Sequence, residues 1–344
     1  MKYKKALITG SCGLIGSESV FFYLDLGFEV WGIDNNSRFT YFGKNASIMK
    51  NLKNLTDFKN YHHINCCITD PLIEKIILKI QPDLIIHCAA QPSHDKSSLI
   101  PDQDFKINAV GTLNLLEGTR KNCPDCVFIF VSTNKVYGDN PNKIKLRELK
   151  QRFEFDDPFF LKGINEKMSL DQCVHSPFGV SKTAADLMVQ EYGKYYGIKT
   201  ACFRCGCVTG KKQKGVELHG FLNYMCKVIK NKKKYIIYGH KGKQVRDNMH
   251  SFDLVNAFHE FFLNPKKGEV YNIGGGKNNS CSILESIKII EEISGLKFSI
   301  DFGEARKGDH ICYYTDYSKF SYDYPNWKLS KNLNFIFREM ILNM

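Results

Sequence analysis

An α/β fold built on a parallel sheet wound on both faces is the class this sequence predicts, on two observations. A short apolar run near the N-terminus passes directly into a glycine turn and then a helical pattern, and strand and helix patterns keep alternating through the first half of the chain. The 344 residues exceed the usual single-domain range, which adds the expectation of a smaller second lobe.

Composition narrows the function classes. With 43% hydrophobic and 24% charged residues the chain reads as globular, and no uninterrupted apolar run approaches the roughly 18 residues of a membrane helix. Its basic start is followed by an apolar segment broken at once by Gly10, Ser11, Gly13 and Gly16, so a cytoplasmic protein without a signal peptide is expected. The 13 cysteines are then reduced thiols. Cys123 with Cys126, and Cys202 with Cys205 and Cys207, lack the second CxxC or histidine pair of a zinc site, and no metal is expected. The net charge of +12 comes from scattered lysine without a nucleic-acid module, so neither nucleic acid nor membrane is expected as a partner, and the field suits an anionic small molecule.

The elements follow in order. Residues 5–9 read as a buried strand, then Gly10, Cys12, Gly13, Leu14, Ile15 and Gly16 form a turn opening a helix that stops near Gly27. Glycines let the backbone approach a pyrophosphate closely, and a helix N-terminus offers it N–H groups and a positive dipole end. The strand 29–33 ends at Asp34, followed by Asn35. A carboxylate there suits a ribose 2′-hydroxyl and repels a 2′-phosphate, which selects NAD over NADP. Strands at 61–67, 84–88 and 127–132 alternate with helices at 71–80 and 105–121. Ligands of such sheets lie beyond the carboxyl ends of the strands. That draws attention to Ala89, Ala90, Gln91, Ser93 and His94 after one strand, and to Ser132, Thr133 and Asn134 after another.

The segments 132–139, 175–186 and 242–247 resemble the extended short-chain dehydrogenase/reductase family, specifically its nucleotide-sugar epimerases and dehydratases, and the likeness runs from about residue 4 to 330. The resemblance implies a Rossmann doubly wound parallel sheet with a smaller C-terminal substrate-binding lobe. Residues 1–206 would be mainly NAD-binding and 207–344 mainly nucleotide-sugar-binding, with segments interleaved. It also implies a homodimer joined through the helices near 104–122 and 178–196. The family's catalytic trio falls on Thr133, position 178 and Lys182, and position 178, a tyrosine in the family, is phenylalanine. A spacing of four keeps Phe178 and Lys182 on one helix face. In the family the phenol takes the carbinol proton as hydride leaves, aided by the lysine charge, while the hydroxyl equivalent to Thr133 steadies the sugar oxygen. Phenylalanine can move no proton. Three readings stay open: another base, with His94, His219, Glu217, Cys205 or Cys207 as candidates; an inactivating change; or ligand binding without turnover.

By the same resemblance the cofactor contacts are Gly10, Cys12, Gly13, Leu14, Ile15, Gly16, Asp34, Asn35, Ala89, Ala90, Gln91, Asn108, Ser132 and Lys182. Where relatives often carry an acidic residue for adenine, this chain has Cys67. Substrate contacts are Ser93, His94, Thr133, Asn134, Cys207, Glu217, His219, Arg246, Arg306 and Asp309, with the two guanidinium groups suited to bidentate hold of a diphosphate. The activity implied is NAD-dependent epimerisation of a nucleotide-diphosphate sugar, at C2 of a CDP-linked hexose. The alternatives are a 4-epimerase, a dehydratase or a silent relative. The Asn134-Lys135 pair after Thr133 replaces the acidic pair a dehydratase uses.

Overall fold

A computed structural model describes residues 4–217, 220–306 and 308–343. The chain forms two compact units, each assembled from three segments. The first takes residues 1–136, 176–204 and 255–271, and the second 137–175, 205–254 and 272–344.

The first unit carries a seven-stranded sheet of β1 (Lys5–Thr9), β2 (Glu29–Ile33), β3 (Tyr61–Ile64), β4 (Leu84–His87), β5 (Val127–Thr133), β6 (Lys199–Cys205) and β7 (Glu269–Ile273), in the order β7-β6-β5-β4-β1-β2-β3. The pairs β1–β2, β2–β3, β1–β4 and β4–β5 all run parallel. This is the Rossmann arrangement, and the strand order reverses between β1 and β4, where such sheets open a crevice for ligands. Its helices include α1 (Leu14–Asp25), α2 (Leu72–Ile80), α3 (His94–Ser97), α4 (Gly111–Asn122) and α5 (Ser176–Lys194). Strand residues Leu7, Ile85, Phe128 and Cys202 pack with Ile73, Ile77, Leu115, Leu116, Ala185 and Val189 from α2, α4 and α5 in one core. The near-continuous apolar strands follow from burial on both faces.

Two elements differ from the expected bounds. The strand expected over 61–67 stops at Ile64. The Cys67 carbonyl turns to accept the Asp70 N–H, and the Cys67 thiol lies 3.1 Å from the Thr69 hydroxyl. The helix expected from residue 105 begins earlier, with Pro101 in its first turn, where a missing N–H costs nothing. Pro101–Phe105 then passes through one wide π turn, Lys106–Val110, before α4.

The second unit has its own core, in which Leu222, Met225 and Ile229 of Phe221–Lys230 meet Tyr235, Ile237, Ile290, Ile336 and Phe337. Its sheet is centred on Val245–His250, flanked by Ser280–Ser282 and Cys312–Tyr313 and extended by Cys207–Thr209. Helix Ile283–Ser294 opens with a capping box, Ser282 and Glu285 exchanging hydrogen bonds. Among the described residues no helix is long and apolar enough to cross a membrane, and no group of histidine, cysteine and carboxylate side chains could hold a metal.

Candidate active site

Three strand ends of the first unit, those of β1, β4 and β5, carry most of the residues singled out in the sequence. At the end of β1, Gly10 has φ +64°, and a Cβ there would stand 2.8 Å from the Ala89 nitrogen. A Cβ on Gly16 would stand 2.0 Å from the Gly10 carbonyl oxygen. Any side chain at either position would fill the bend, so the glycines are sterically required. Helix α1 starts at Leu14 with no side-chain cap, which leaves first-turn N–H groups for an anion. Asp34, at the end of β2, accepts the Cys12 N–H at 3.1 Å on Oδ2 and the Asn36 N–H at 2.9 Å on Oδ1. A carboxylate has about four acceptor sites, so the Asp34 oxygens retain capacity for a ribose hydroxyl. Asn35 turns its side-chain oxygen to the Ser37 N–H. Burial first, and the Asp34 charge second, push the Cys12 thiol up to about 12. The cradle, the uncapped helix and the carboxylate fit a dinucleotide with a free 2′-hydroxyl.

At the end of β4 lies a chain of hydrogen bonds that the sequence did not reveal. The Thr9 hydroxyl accepts the Ala89 N–H at 3.2 Å and lies 2.7 Å from His87 Nδ1. The Thr112 hydroxyl donates to the Asn108 carbonyl at 2.6 Å and so accepts from His87 Nε2 at 2.9 Å. Nε2 therefore carries a proton, and because burial, then the Lys182 charge, hold the His87 pKa well below the usual imidazole range, the ring is neutral and its Nδ1 accepts from Thr9. Asn108, in the π turn, accepts the Gln91 N–H at 2.9 Å and donates to the Gln91 carbonyl, Asp104 and Ser181. Gln91 is fully engaged with Ser93, Asp104 and Asn108. Asn108 and Gln91 thus act on the loop after β4, fixing its backbone. Ser93 caps α3 by accepting the Lys96 N–H at 3.1 Å, which places His94 as the first residue of that helix.

At the end of β5, the Ser132 hydroxyl donates to Asp186 at 2.5 Å, and Asp186 is gripped by Arg204 at 2.7 Å and 3.1 Å. Thr133 Oγ1 accepts the Lys135 N–H at 3.2 Å and lies 3.4 Å from the Asn134 side-chain oxygen. Lys182, buried on α5, donates to the Val131 carbonyl at 2.8 Å, with its ammonium 4.0 Å from the centre of the Phe130 ring. An ammonium has three donors, so serving Val131 is compatible with a ligand hydroxyl. Phe178, one turn before Lys182, is 8% exposed, and its N–H donates to Ser97 Oγ at 3.1 Å.

In the second unit Arg246 pairs with Asp309 at 2.7 Å and donates to the Val245 carbonyl. Burial is the largest influence on Arg246 and opposes its charge, but Asp309, with Cys207 and Cys312, together outweigh it and the net shift is upward. Arg306 is joined to the same turn, its carbonyl accepting the Asp309 N–H at 3.3 Å, and its guanidinium lies 4.5 Å over the Tyr238 ring. Tyr238 in turn donates to Glu217 at 2.8 Å. Cys207 pairs in register with Asn248, two residues beyond Arg246. Arg246, Arg306, Asp309, Glu217 and Tyr238 are therefore linked through one turn and one strand. Tyr238 was not anticipated. Cys205 is buried at the end of β6, and His219 lies outside the described residues.

A family model for the NAD dependent epimerase/dehydratase family matches residues 6–274. The chain belongs to that family. It is 35% identical over 324 residues to a CDP-paratose 2-epimerase of Salmonella typhi, covering 92% of each protein. It also superposes on the crystal structure of a UDP-glucose 4-epimerase with UDP-glucose from Thermotoga maritima, with a TM-score of 0.80, 26% identity and 98% of each chain covered. A dTDP-glucose 4,6-dehydratase from Bacillus anthracis in complex with NAD gives a TM-score of 0.77 and 25% identity, with 99% of this chain and 96% of that one covered. NAD is the cofactor of this epimerase/dehydratase family, and the glycine cradle and Asp34 are the residues that fit it.

Proposed function

We propose that this chain is an NAD-dependent epimerase acting at C2 of a CDP-linked hexose. The carrying observation is the likeness to the Salmonella typhi CDP-paratose 2-epimerase over 92% of the chain, and the buried Lys182 beside the β5 strand end supports it. When bound, NAD would accept a hydride from the sugar carbon and return it to the opposite face. The Gly10 to Gly16 turn and the α1 N-terminus would hold its pyrophosphate, Asp34 its adenosine ribose, and Lys182 its nicotinamide ribose, with Asn35, Ala89, Ala90 and Ser132 completing the contacts. Thr133 would donate to the reacting sugar oxygen and steady the developing ketone. Arg246 and Arg306 would hold the diphosphate, with Asp309 aligning Arg246. Asn134 and Lys135 supply no acid/base pair for loss of water, which favours epimerisation over dehydration.

A cytoplasmic homodimer is part of the same proposal. Phe105, Val110, Val180 and Leu187 leave an exposed apolar face on Pro101–Asn122 and α5, with positions 180 and 187 two turns apart on one side.

The test is a screen of CDP-, UDP-, GDP- and dTDP-sugars followed by NMR, with deuterium at C2. The expected result is a C2 epimer of the CDP-sugar that keeps its deuterium. Exchange of that deuterium with solvent, or inversion at C4, refutes the proposal.

A further inference from the structure

We propose that His94 is the proton acceptor that replaces the tyrosine hydroxyl missing at Phe178; this rests on the epimerase reading above. Phe178 has no polar side-chain atom, so removal of hydride from a carbinol needs a base from elsewhere. Most proton acceptors at the strand ends of the first unit are already committed. Both nitrogens of His87 are bonded to hydroxyls. Asp104 holds Ser181, Gln91 and Asn108, and Asp186 holds Ser132, Gln190 and Arg204. The Cys12 and Cys88 thiols stand near 12, raised chiefly by burial.

His94 differs from all of these. Its Nδ1 lies 3.2 Å from Asp95 Oδ1. An ionised carboxylate only accepts, so Nδ1 carries a proton, and the neutral form of the ring is the one that presents a bare lone pair on Nε2. Nε2 is buried and meets no hydrogen-bonding group of the protein. A buried ring nitrogen without a partner is costly, and an incoming hydroxyl would relieve that cost. The pairing is that of a general base steered by a carboxylate, in which Asp95 also stabilises the imidazolium once formed.

Position supports the assignment. His94 follows β4 at the strand-order reversal, and the glycine turn of β1 touches the same loop at Ala89. The Ser97 hydroxyl donates to the His94 carbonyl at 2.6 Å and accepts the Phe178 N–H at 3.1 Å. One hydroxyl thus joins the backbone of the proposed base to the backbone of the residue it replaces. The loop carrying His94 is fixed by the Gln91 and Asn108 network, so the base is held on a rigid support. In the step, the sugar O–H bond breaks and an N–H bond forms on Nε2. The electron pair left on oxygen becomes the second bond of the ketone as the C–H pair leaves to NAD. Return of both restores the alcohol.

The experiment compares His94→Gln, Phe178→Tyr and the double variant with the natural protein. In His94→Gln, kcat is expected to fall about 10²- to 10⁴-fold, while the CDP-sugar Kd, by calorimetry, stays within about threefold of the natural protein's, a shift of under about 0.7 kcal/mol. Adding Phe178→Tyr to His94→Gln is expected to restore activity, since a phenol beside Lys182 supplies the family's own base. A readout independent of turnover is ¹⁵N-histidine NMR. One Nε2 resonance, missing from His94→Gln, should move when CDP-sugar is added and stay in place with CDP alone. The proposal is overturned if His94→Gln keeps kcat within about threefold of the natural value, within the spread of a peripheral substitution. It is also overturned if that resonance ignores the sugar. A natural protein that turns over no nucleotide sugar overturns the epimerase reading and this one together, whereas full activity in both the natural protein and His94→Gln overturns His94 alone.

Discussion

Replacing Arg204 by methionine isolates the charge that supports the end of β5. Asp186 is 0% exposed and Arg204 5%, and the guanidinium meets both carboxylate oxygens, Nη2 to Oδ1 at 2.7 Å and Nε to Oδ2 at 3.1 Å. Without Arg204 the carboxylate keeps two neutral donors, the Ser132 hydroxyl at 2.5 Å and the Gln190 amide at 2.7 Å, and loses the cation bonded to it. Removing one partner of a buried ion pair leaves an uncompensated charge and costs about 3–5 kcal/mol, or roughly two to three and a half powers of ten in the folding equilibrium. Urea denaturation followed by circular dichroism measures the loss. The double variant Arg204→Met with Asp186→Leu removes both charges and should lie closer to the natural protein than the single variant, short of it by about 1 kcal/mol for the acceptor that Ser132 loses. Because Thr133 follows Ser132, the single variant should also lose activity out of proportion to its unfolded fraction. A cost below about 1 kcal/mol for Arg204→Met, or a double variant no more stable than the single one, refutes the reasoning.

Three further outcomes are expected. Gly16→Ala would put a methyl 2.0 Å from the Gly10 carbonyl oxygen, and the backbone would have to move to admit it. A loss of about 1–3 kcal/mol in stability and at least about tenfold in NAD affinity, equivalent to 1.4 kcal/mol, should follow in thermal melts and calorimetry. The Cys12 and Cys88 thiols, raised from 9.0 to about 12, should resist iodoacetamide at pH 8 in mass-spectrometric mapping, since thiolate is the reactive form. The sign also predicts alkaline instability. A raised folded pKa contributes stability that is complete below the unfolded value of 9.0 and is lost as pH rises towards about 12, so Cys12→Ser should flatten the stability profile across that window.

The parts legible in the sequence are those decided locally. A glycine turn between an apolar run and a helical pattern describes a phosphate-binding bend without outside information, because the steric demand at Gly16 is set by the backbone of Gly10 and Ser11 a few residues away. Asp34 was legible for a similar reason: the end of β2 follows from its apolar run. Gln91 was visible as a polar residue near a strand end and Asn108 only through the family resemblance, but their work is done inside the protein, on Asp104, Ser93 and Ser181. The π turn that carries Asn108 inward is a change of one residue per turn, which no periodicity shows. Asp186 with Arg204, and Thr9 with His87 and Thr112, join residues from 18 to 78 positions apart, and such side-chain pairings leave no mark in spacing. Tyr238 was missed because an aromatic residue on a short strand reads as core until Arg306 is found over its ring.

The close approach of Gly10 to Ala89 has a practical side for protein engineering. The phosphate-binding turn looks like a cassette that could be exchanged for a relative's version. Its outer wall, however, belongs to the loop after β4, and that loop is registered to β1 through Thr9 and His87. A transplanted turn that shifts Thr9 by a few tenths of an ångström would disturb the Ala89 peptide and everything the loop carries, His94 included. Chimeras should therefore exchange residues 5–16 and 84–98 as one block.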